Sequence, residues 1–275
     1  MDALSASDLR AWLAAAETAA AAGGEVLQRY AAGLDGVRTE FKGRRELVTE
    51  ADREAERAIV GSLQRALPEH AILAEEGVLT PRGAPDRPCD HVWIIDPLDG
   101  TTNFVHALPY YCVALGLAVR GEVVVSTLLA PRLGERFSAV RGGGAWRNGA
   151  PIRVSATAAV SDALLCTGFS YNRNEPGRDT NVARLERALA ECRDLRRYGS
   201  AQLDLAYVAA GIYDAYWEMY LAPYDVAAGA LLVREAGGRV SDLTGGEDWL
   251  YGGQILASNG ALHEPMLALV GGAPA

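Results

Sequence analysis

The segment VWIIDPLDGTTNF, residues 92–104, carries an apolar β-strand directly into two carboxylates, Asp96 and Asp99. Pro97 fixes its own φ and biases the preceding residue toward an extended backbone, which holds the two acids in a defined relation. Hard divalent cations such as magnesium prefer oxygen ligands of this kind. Taken alone, the segment is equally typical of a tight turn, because Asp, Pro and Gly dominate turns.

Two further acidic sites favour a metal centre over a turn. Glu75 and Glu76 follow the short apolar run AILA and precede a glycine, and Asp225 opens a helix after Pro223. An aspartate at a helix start is by itself usually a cap. Three acid-bearing ends of strands or helices in one chain favour a shared site instead. The amides of residues 100–102 are expected to open a helix whose positive end faces an anion.

The first half of the chain is predicted to be an α+β arrangement. Helical periodicity covers residues 7–30 and 50–67, and Thr49 is a plausible cap for the second helix, which Pro68 ends. Short apolar runs rich in β-branched and aromatic residues then predict an extended sheet. These runs are AILA, VWII, YYCVALGLAV, VVVSTLLA and RFSAV. Asn148-Gly149 predicts a tight hairpin turn.

The pattern changes to an alternation of strands and helices after about residue 155. Strands are predicted at ALLCTGF and YDAYWEM, and helices over residues 181–191, 199–211 and 223–238. This alternation is typical of α/β proteins. We therefore predict an α/β fold with an α+β N-terminal sub-domain, residues 1–155, an α/β C-terminal sub-domain, residues 156–275, and an active site in the cleft between them.

Composition excludes several classes of protein. Of 275 residues, 22% are charged and 49% hydrophobic, and no run approaches the roughly 20 apolar residues of a membrane-spanning helix. The 26 basic and 35 acidic residues give a net charge of −9, the wrong sign for holding nucleic acid. The basic cluster in ECRDLRRYG is interpreted as a solvated surface. The beginning of the chain has no signal-peptide pattern, so we expect a cytoplasmic protein.

The motifs resemble, in order and spacing, those of the inositol monophosphatase family of magnesium-dependent, lithium-sensitive phosphatases. WIIDPLDGTTNF, the upstream AEEG and the downstream YDVAAGALLVREAGG carry the resemblance, which extends from LVTEAD at residue 47 to ILASNG at residue 255. It implies a layered αβαβα sandwich, as in fructose bisphosphatases, and a homodimer. One position departs: Tyr224 stands where the family commonly has Trp, which puts packing details in doubt but not metal binding.

The resemblance implies two or three Mg²⁺ ions in each active site. Glu75, Asp96 and the backbone carbonyl of Leu98 would hold one ion. Asp96, Asp99 and Asp225 would hold a second. A third, weaker ion would touch Glu75, which the resemblance also makes a catalytic residue.

The resemblance also assigns the remaining roles. Thr101 and Asp52 would orient and deprotonate the attacking water, and the amides of Gly100 and Thr101 would grip the phosphate. Glu218 would hydrogen-bond hydroxyls of the substrate ring, and Gly199-Ser200-Ala201 would line the same pocket.

The predicted function is Mg²⁺-dependent hydrolysis of a small phosphate monoester by metal-activated water, with myo-inositol monophosphate as the favoured substrate. Without metal, the clustered carboxylates would repel one another and their pKa values would rise. Activity should therefore depend on metal and favour neutral to alkaline pH. The same fold leaves fructose-1,6-bisphosphate, histidinol phosphate and a 3′-phosphonucleotide open as substrates. A regulatory binding protein that retained the fold is the alternative outside enzymes.

Overall fold

The computed structural model describes residues 4–33, 39–41, 47–79, 85, 88–171, 173 and 175–272. Its α-helices are α1 (Ala6–Ala31), α2 (Glu50–Ala66), α3 (Thr101–Val105), α4 (Val182–Glu191), α5 (Ala201–Ala209), α6 (Pro223–Glu235) and α7 (His263–Val270). In the described part of the chain, no helix is long and apolar enough to cross a membrane.

The strands form a short hairpin and two larger sheets. The hairpin pairs β1 (Thr39–Phe41) with β2 (Leu47–Thr49). Seven strands form the first sheet in chain order: β3 (Ala71–Ala74), β4 (His91–Asp99), β5 (Cys112–Val119), β6 (Glu122–Ala130), β7 (Glu135–Val140), β8 (Gly144–Arg147) and β9 (Ala150–Pro151). Only the β3–β4 pair is parallel.

The second sheet has the spatial order β11-β10-β12-β14-β13. Its strands are β10 (Leu164–Thr167), β11 (Asp194–Arg196), β12 (Ala215–Met219), β13 (Arg239–Ser241) and β14 (Gln254–Ser258). The first three are parallel to one another, whereas β14 runs antiparallel to both of its neighbours. The sheet is therefore mixed, because β14 returns between β12 and β13.

The described helices and sheets stack in five layers, and three apolar cores hold these layers together. One core joins α1 and α2 to the first sheet, the second joins that sheet through α5 and α6 to the second sheet, and the third joins the second sheet to α4 and α7. The predicted αβαβα sandwich is confirmed. Residues 155 and 156 lie between the strands of the two sheets, and we propose this point as the division between two sub-domains that share the central helices.

The helix and turn signals in the sequence are confirmed. Thr49 caps α2, where its side chain accepts hydrogen bonds from the amides of Ala51 and Asp52. Asn148 and Gly149 both have positive φ and connect β8 to β9 in a two-residue hairpin, as expected for a turn whose two central residues are left-handed. One interpretation was incomplete: the basic segment ECRDLRRYG contains β11, an edge strand of the second sheet.

Candidate active site

A β-bulge in β4 brings the two acids of the DPLD segment to one face of the sheet. Asp96 pairs with Ala114 and Asp99 with Cys112, so three steps along β4 match two steps along β5. Residues three apart on a regular strand face opposite sides, and one extra residue restores the same side. Both carboxylates therefore point toward the central helices α5 and α6.

Asp99 lies against the N-terminus of α5. Its carboxylate accepts hydrogen bonds from Ser200 Oγ at 2.6 Å, the Gln202 amide at 2.7 Å and the Ala201 amide at 3.2 Å. Burial raises the pKa of Asp99 to about 6, while these donors act in the opposite direction. Ser200 is buried, and its hydroxyl contacts Asp99, a predicted metal ligand.

Asp225 occupies the third position of α6 and accepts a hydrogen bond from the Ala222 amide at 2.6 Å. Pro223 begins the helix, where its missing N–H costs nothing. Burial, followed by the charge of Glu75, raises the pKa of Asp225 well above its ordinary value. Asp225 therefore caps the helix, as an aspartate at this position commonly does, and its carboxylate also lines the cavity described below.

Asp96 lies on β4, and Glu75 directly follows the neighbouring parallel strand β3. Asp96 is 2% exposed and accepts a hydrogen bond from the Leu98 amide at 3.0 Å. Glu75 follows β3, and its amide donates to the Ile95 carbonyl at 3.2 Å. Burial raises the pKa of Asp96 well above its ordinary value, and the charges of Glu75, Asp99 and Asp225 add to the rise. The four acids therefore share one electrostatic environment.

Thr101 and Asp52 form the predicted pair. Thr101 Oγ1 lies 3.0 Å from Asp52 Oδ1 and 3.2 Å from the Leu98 carbonyl oxygen. Asp52 is also held by Thr49, whose amide donates to Oδ2 at 2.9 Å. Burial raises the pKa of Asp52 to about 6, the Thr49 hydroxyl opposes this rise, and the charge of Glu75 adds to it. A carboxylate with this pKa is suited to accept a proton near neutral pH.

These residues surround a cavity of about 300 Å³. Its wall contains ten of the twelve predicted site residues: Glu75, Asp96, Leu98, Asp99, Gly100, Thr101, Gly199, Ala201, Glu218 and Asp225. Asp52 and Ser200 do not line the cavity; each contacts a wall residue from behind through a hydrogen bond.

Glu218 lies in the cavity wall, on β12, the strand that pairs directly with β10. Tyr216, two residues earlier on β12 and fully buried, donates its hydroxyl proton to Glu218 Oε2. A Cβ atom at Gly168 would lie 1.8 Å from that oxygen, so any larger residue there would displace the Glu218 carboxylate. Burial raises the pKa of Glu218 to about 7, and the Tyr216 hydroxyl and the Arg197 charge oppose the rise.

Nine further residues line the cavity without having been predicted as site residues. These residues are Phe169, Ser170, Tyr171, Arg178, Arg197, Tyr220, Leu221, Ala222 and Tyr224. Tyr224 had been noted above as the aromatic residue that stands where the family commonly has Trp. The Arg178 guanidinium lies 4.6 Å from the centroid of the Tyr220 ring. Arg197 belongs to the segment interpreted as a solvated surface. The sequence feature that could have identified Arg197 as a wall residue is its position two residues before Gly199, a predicted site residue.

The donor set fits a hard divalent cation. Four carboxylates and the Leu98 carbonyl supply only oxygen, and the burial of the acids raises the free energy of their charged forms unless cations compensate. Across the described ranges, no three acidic, histidine or cysteine side chains already form a ligand group. Backbone amides of Gln202 in α5 and of Ala222, just before α6, engage oxygens of Asp99 and Asp225, but each carboxylate oxygen has a second lone pair.

The chain is similar to several known proteins. The chain is 43% identical over 253 residues to Nus factor SuhB of Pseudomonas aeruginosa, covering 92% of this chain and 93% of that protein. It is 39% identical over 254 residues to inositol-1-monophosphatase of Mesorhizobium japonicum, with coverage of 92% and 93%. The structure of inositol monophosphatase from Anabaena superposes with a TM-score of 0.84 at 38% identity, covering 95% of this chain and 96% of that chain. The model of the inositol monophosphatase family matches residues 8–274, and the chain therefore belongs to this family.

Proposed function

We propose that the protein is a Mg²⁺-dependent phosphatase that hydrolyses a small phosphate monoester, with myo-inositol monophosphate giving inositol and phosphate. The observation that carries this proposal is the joint placement of Glu75, Asp96, Asp99 and Asp225 on one cavity wall, beside the Thr101–Asp52 pair. Membership of the inositol monophosphatase family supports phosphatase activity in general.

The carboxylates are assigned to metal binding. Glu75, Asp96 and the Leu98 carbonyl would hold one Mg²⁺, and Asp96, Asp99 and Asp225 a second, with a third near Glu75. Bound Mg²⁺ neutralises charge on the phosphate oxygens and lowers the pKa of water. Hydrogen bonds from the Gln202 amide at the start of α5 and from the Ala222 amide just before α6 orient Asp99 and Asp225.

Thr101 and Asp52 are assigned to proton handling. The Thr101 hydroxyl proton is shared between Asp52 Oδ1 and the Leu98 carbonyl, which leaves lone pairs on Oγ1 to accept a proton from water. As Oγ1 takes that proton, its own proton would pass to Oδ1 of Asp52, which is ionised at neutral pH because its pKa is about 6. Glu75 lies on the same wall and assists in orienting the water.

The remaining wall residues are assigned to the substrate. The amides of Gly100 and Thr101, at the start of α3, would bind phosphate oxygens. Glu218 would accept hydrogen bonds from hydroxyl groups, with Gly199 and Ala201 alongside. Ser200 acts through Asp99. This wall leaves fructose-1,6-bisphosphate, histidinol phosphate and 3′-phosphonucleotides as competing substrates.

A substrate panel tests the proposal. Phosphate release is measured from inositol-1-phosphate and the three competing substrates, in Mg²⁺ and in EDTA. We expect the highest kcat/KM for inositol-1-phosphate in Mg²⁺ and none in EDTA. Asp96→Asn should abolish turnover and keep the circular dichroism spectrum. Turnover by Asp96→Asn at the parent rate, or equal rates in EDTA, would contradict the metal assignment.

A binding role is the second candidate, favoured by the name of the Pseudomonas relative, a Nus factor. Expression of this chain and of its Asp96→Asn variant in a Pseudomonas strain lacking that relative separates the two roles. Rescue by both proteins would support binding without catalysis. Rescue by the parent alone would support the enzyme. Dimerisation and a cytoplasmic location remain predictions, and light scattering of the purified chain would test the first.

A further inference from the structure

Glu56 is a fully buried carboxylate that the proposed reaction does not use. It lies in α2, four residues after Asp52, and residues at this spacing share one face of a helix. Asp52 reaches the segment that carries Leu98 and Thr101. Glu56 reaches the segment that follows β3 and carries Glu75.

Both oxygens of Glu56 accept backbone hydrogen bonds from that segment. The Glu76 amide donates to Oε2 at 2.7 Å and the Val78 amide donates to Oε1 at 2.6 Å. Gly77, between the two donors, has a φ of +62° and makes the turn that aims both amides at one carboxylate. Burial raises the pKa of Glu56, and these amides oppose the rise.

The consequence concerns Glu75, the residue immediately before this turn. Its own amide is fixed to the Ile95 carbonyl, and the two following donors are fixed to Glu56. The backbone is therefore held on both sides of Glu75 while its side chain reaches the cavity. Charge-assisted hydrogen bonds from two amides to one buried carboxylate are strong and directional, so α2 braces this segment against the sheet.

We propose that Glu56 is a positioning residue, which fixes the turn at residues 75–78 and so sets the direction of the Glu75 side chain toward the metal site. This inference rests on the proposed function. Helix α2 then positions two parts of the active site from one face: Asp52 holds Thr101, and Glu56 holds the backbone beside Glu75.

Glu56→Gln tests this role, because the amide has the same shape but turns one acceptor into a donor that faces a backbone N–H. The matched control is Glu54→Gln on the same helix, where the partly exposed carboxylate bonds Arg29 and Tyr30. Mg²⁺ titrations follow two signals: the rise in melting temperature and phosphate release from inositol-1-phosphate. We expect the Mg²⁺ midpoint of both signals to rise roughly tenfold to a hundredfold in Glu56→Gln, and to stay unchanged in the control.

The inference fails if Glu56→Gln melts at a lower temperature in EDTA but keeps the parent Mg²⁺ midpoint, since Glu56 then serves stability alone. Glu56→Ala removes the acceptors without adding a donor and should raise the midpoint in the same direction. If neither variant is folded at 20 °C in EDTA, Glu56 belongs to the fold and the inference is overturned. A parent that binds Mg²⁺ without hydrolysing any substrate defeats the proposed function, whereas the melting midpoints still decide the role of Glu56.

Discussion

Replacing Asp52 with asparagine should stabilise the metal-free protein while it damages catalysis. The pKa of Asp52 is raised to about 6 from an ordinary value of 3.8, with burial as the main cause. At about 1.4 kcal/mol per pKa unit, this gap corresponds to about 3 kcal/mol of free energy of unfolding. Asparagine has the same shape as the neutral acid, so the Asp52→Asn variant avoids the cost of burying a charge at neutral pH.

The effect has a definite sign with pH. Between pH 4 and 6 the native state binds more protons at Asp52 than the unfolded state does, so this residue lowers the parent's stability as pH rises. The variant lacks this loss. The difference in free energy of unfolding should therefore be small at pH 4, about half-developed at pH 5, and near its full value of about 3 kcal/mol above pH 6. Urea unfolding in EDTA measures it.

Catalysis should move in the opposite direction. If the amide nitrogen of the introduced asparagine faces Thr101, it donates to Oγ1, and the hydroxyl proton turns to the Leu98 carbonyl at 3.2 Å. The hydroxyl then loses the acceptor that stabilises it, and kcat should fall roughly a hundredfold or more. Glu50→Gln, an exposed acid in the first turn of the same helix, is the control for the change in net charge. A variant no more stable than the parent at pH 8, or a difference independent of pH, would refute the reasoning.

Three further changes probe the cavity and the contact between the two halves. Glu218→Gln should raise KM about tenfold without shifting Mg²⁺ activation; an equal shift of both would assign Glu218 to the metal site. Gly168→Ala places a Cβ atom 1.8 Å from Glu218 Oε2 and should raise KM similarly, whereas an unchanged KM would show that Glu218 does not bind substrate. Asn103→Ala removes the Nδ2 donor to the carbonyls of Tyr110 at 2.7 Å and Tyr198 at 2.8 Å, and should lower the free energy of unfolding by about 2–3 kcal/mol. Urea unfolding would detect this loss, and a change below about 0.5 kcal/mol would contradict it.

Local signals predicted the elements that depend on local physics. The helix expected over residues 50–67 is α2 (Glu50–Ala66), because Thr49 caps it and Pro68 follows it. The helix expected over residues 7–30 is α1 (Ala6–Ala31). The strands predicted from apolar runs rich in β-branched residues, such as β5 and β6, are also present. The short edge strands β11 and β13 were missed, since three residues carry too little periodicity to distinguish a strand from a loop.

Local sequence patterns were enough to identify the acidic residues and the strand or helix end at which each of them emerges. An apolar strand that runs into Asp96-Pro97, and a proline that starts the helix of Asp225, fix the backbone on either side of each carboxylate through local sterics. The bulge was not foreseen, although Pro97 cannot donate a ladder hydrogen bond and lies within it. That bulge decides that Asp96 and Asp99 face the same way.

Long-range packing determines which residues line the cavity and which support the wall from behind. Ser200 proved to hold Asp99, Gly168 to make room for Glu218, and Glu56 to hold the turn after Glu75. Each of these contacts joins parts of the chain that are twenty or more residues apart, and no local pattern encodes them. They arise from the packing of α2 and α5 against the ends of the sheets and from the pairing of β10 with β12, which depend on the whole chain being folded.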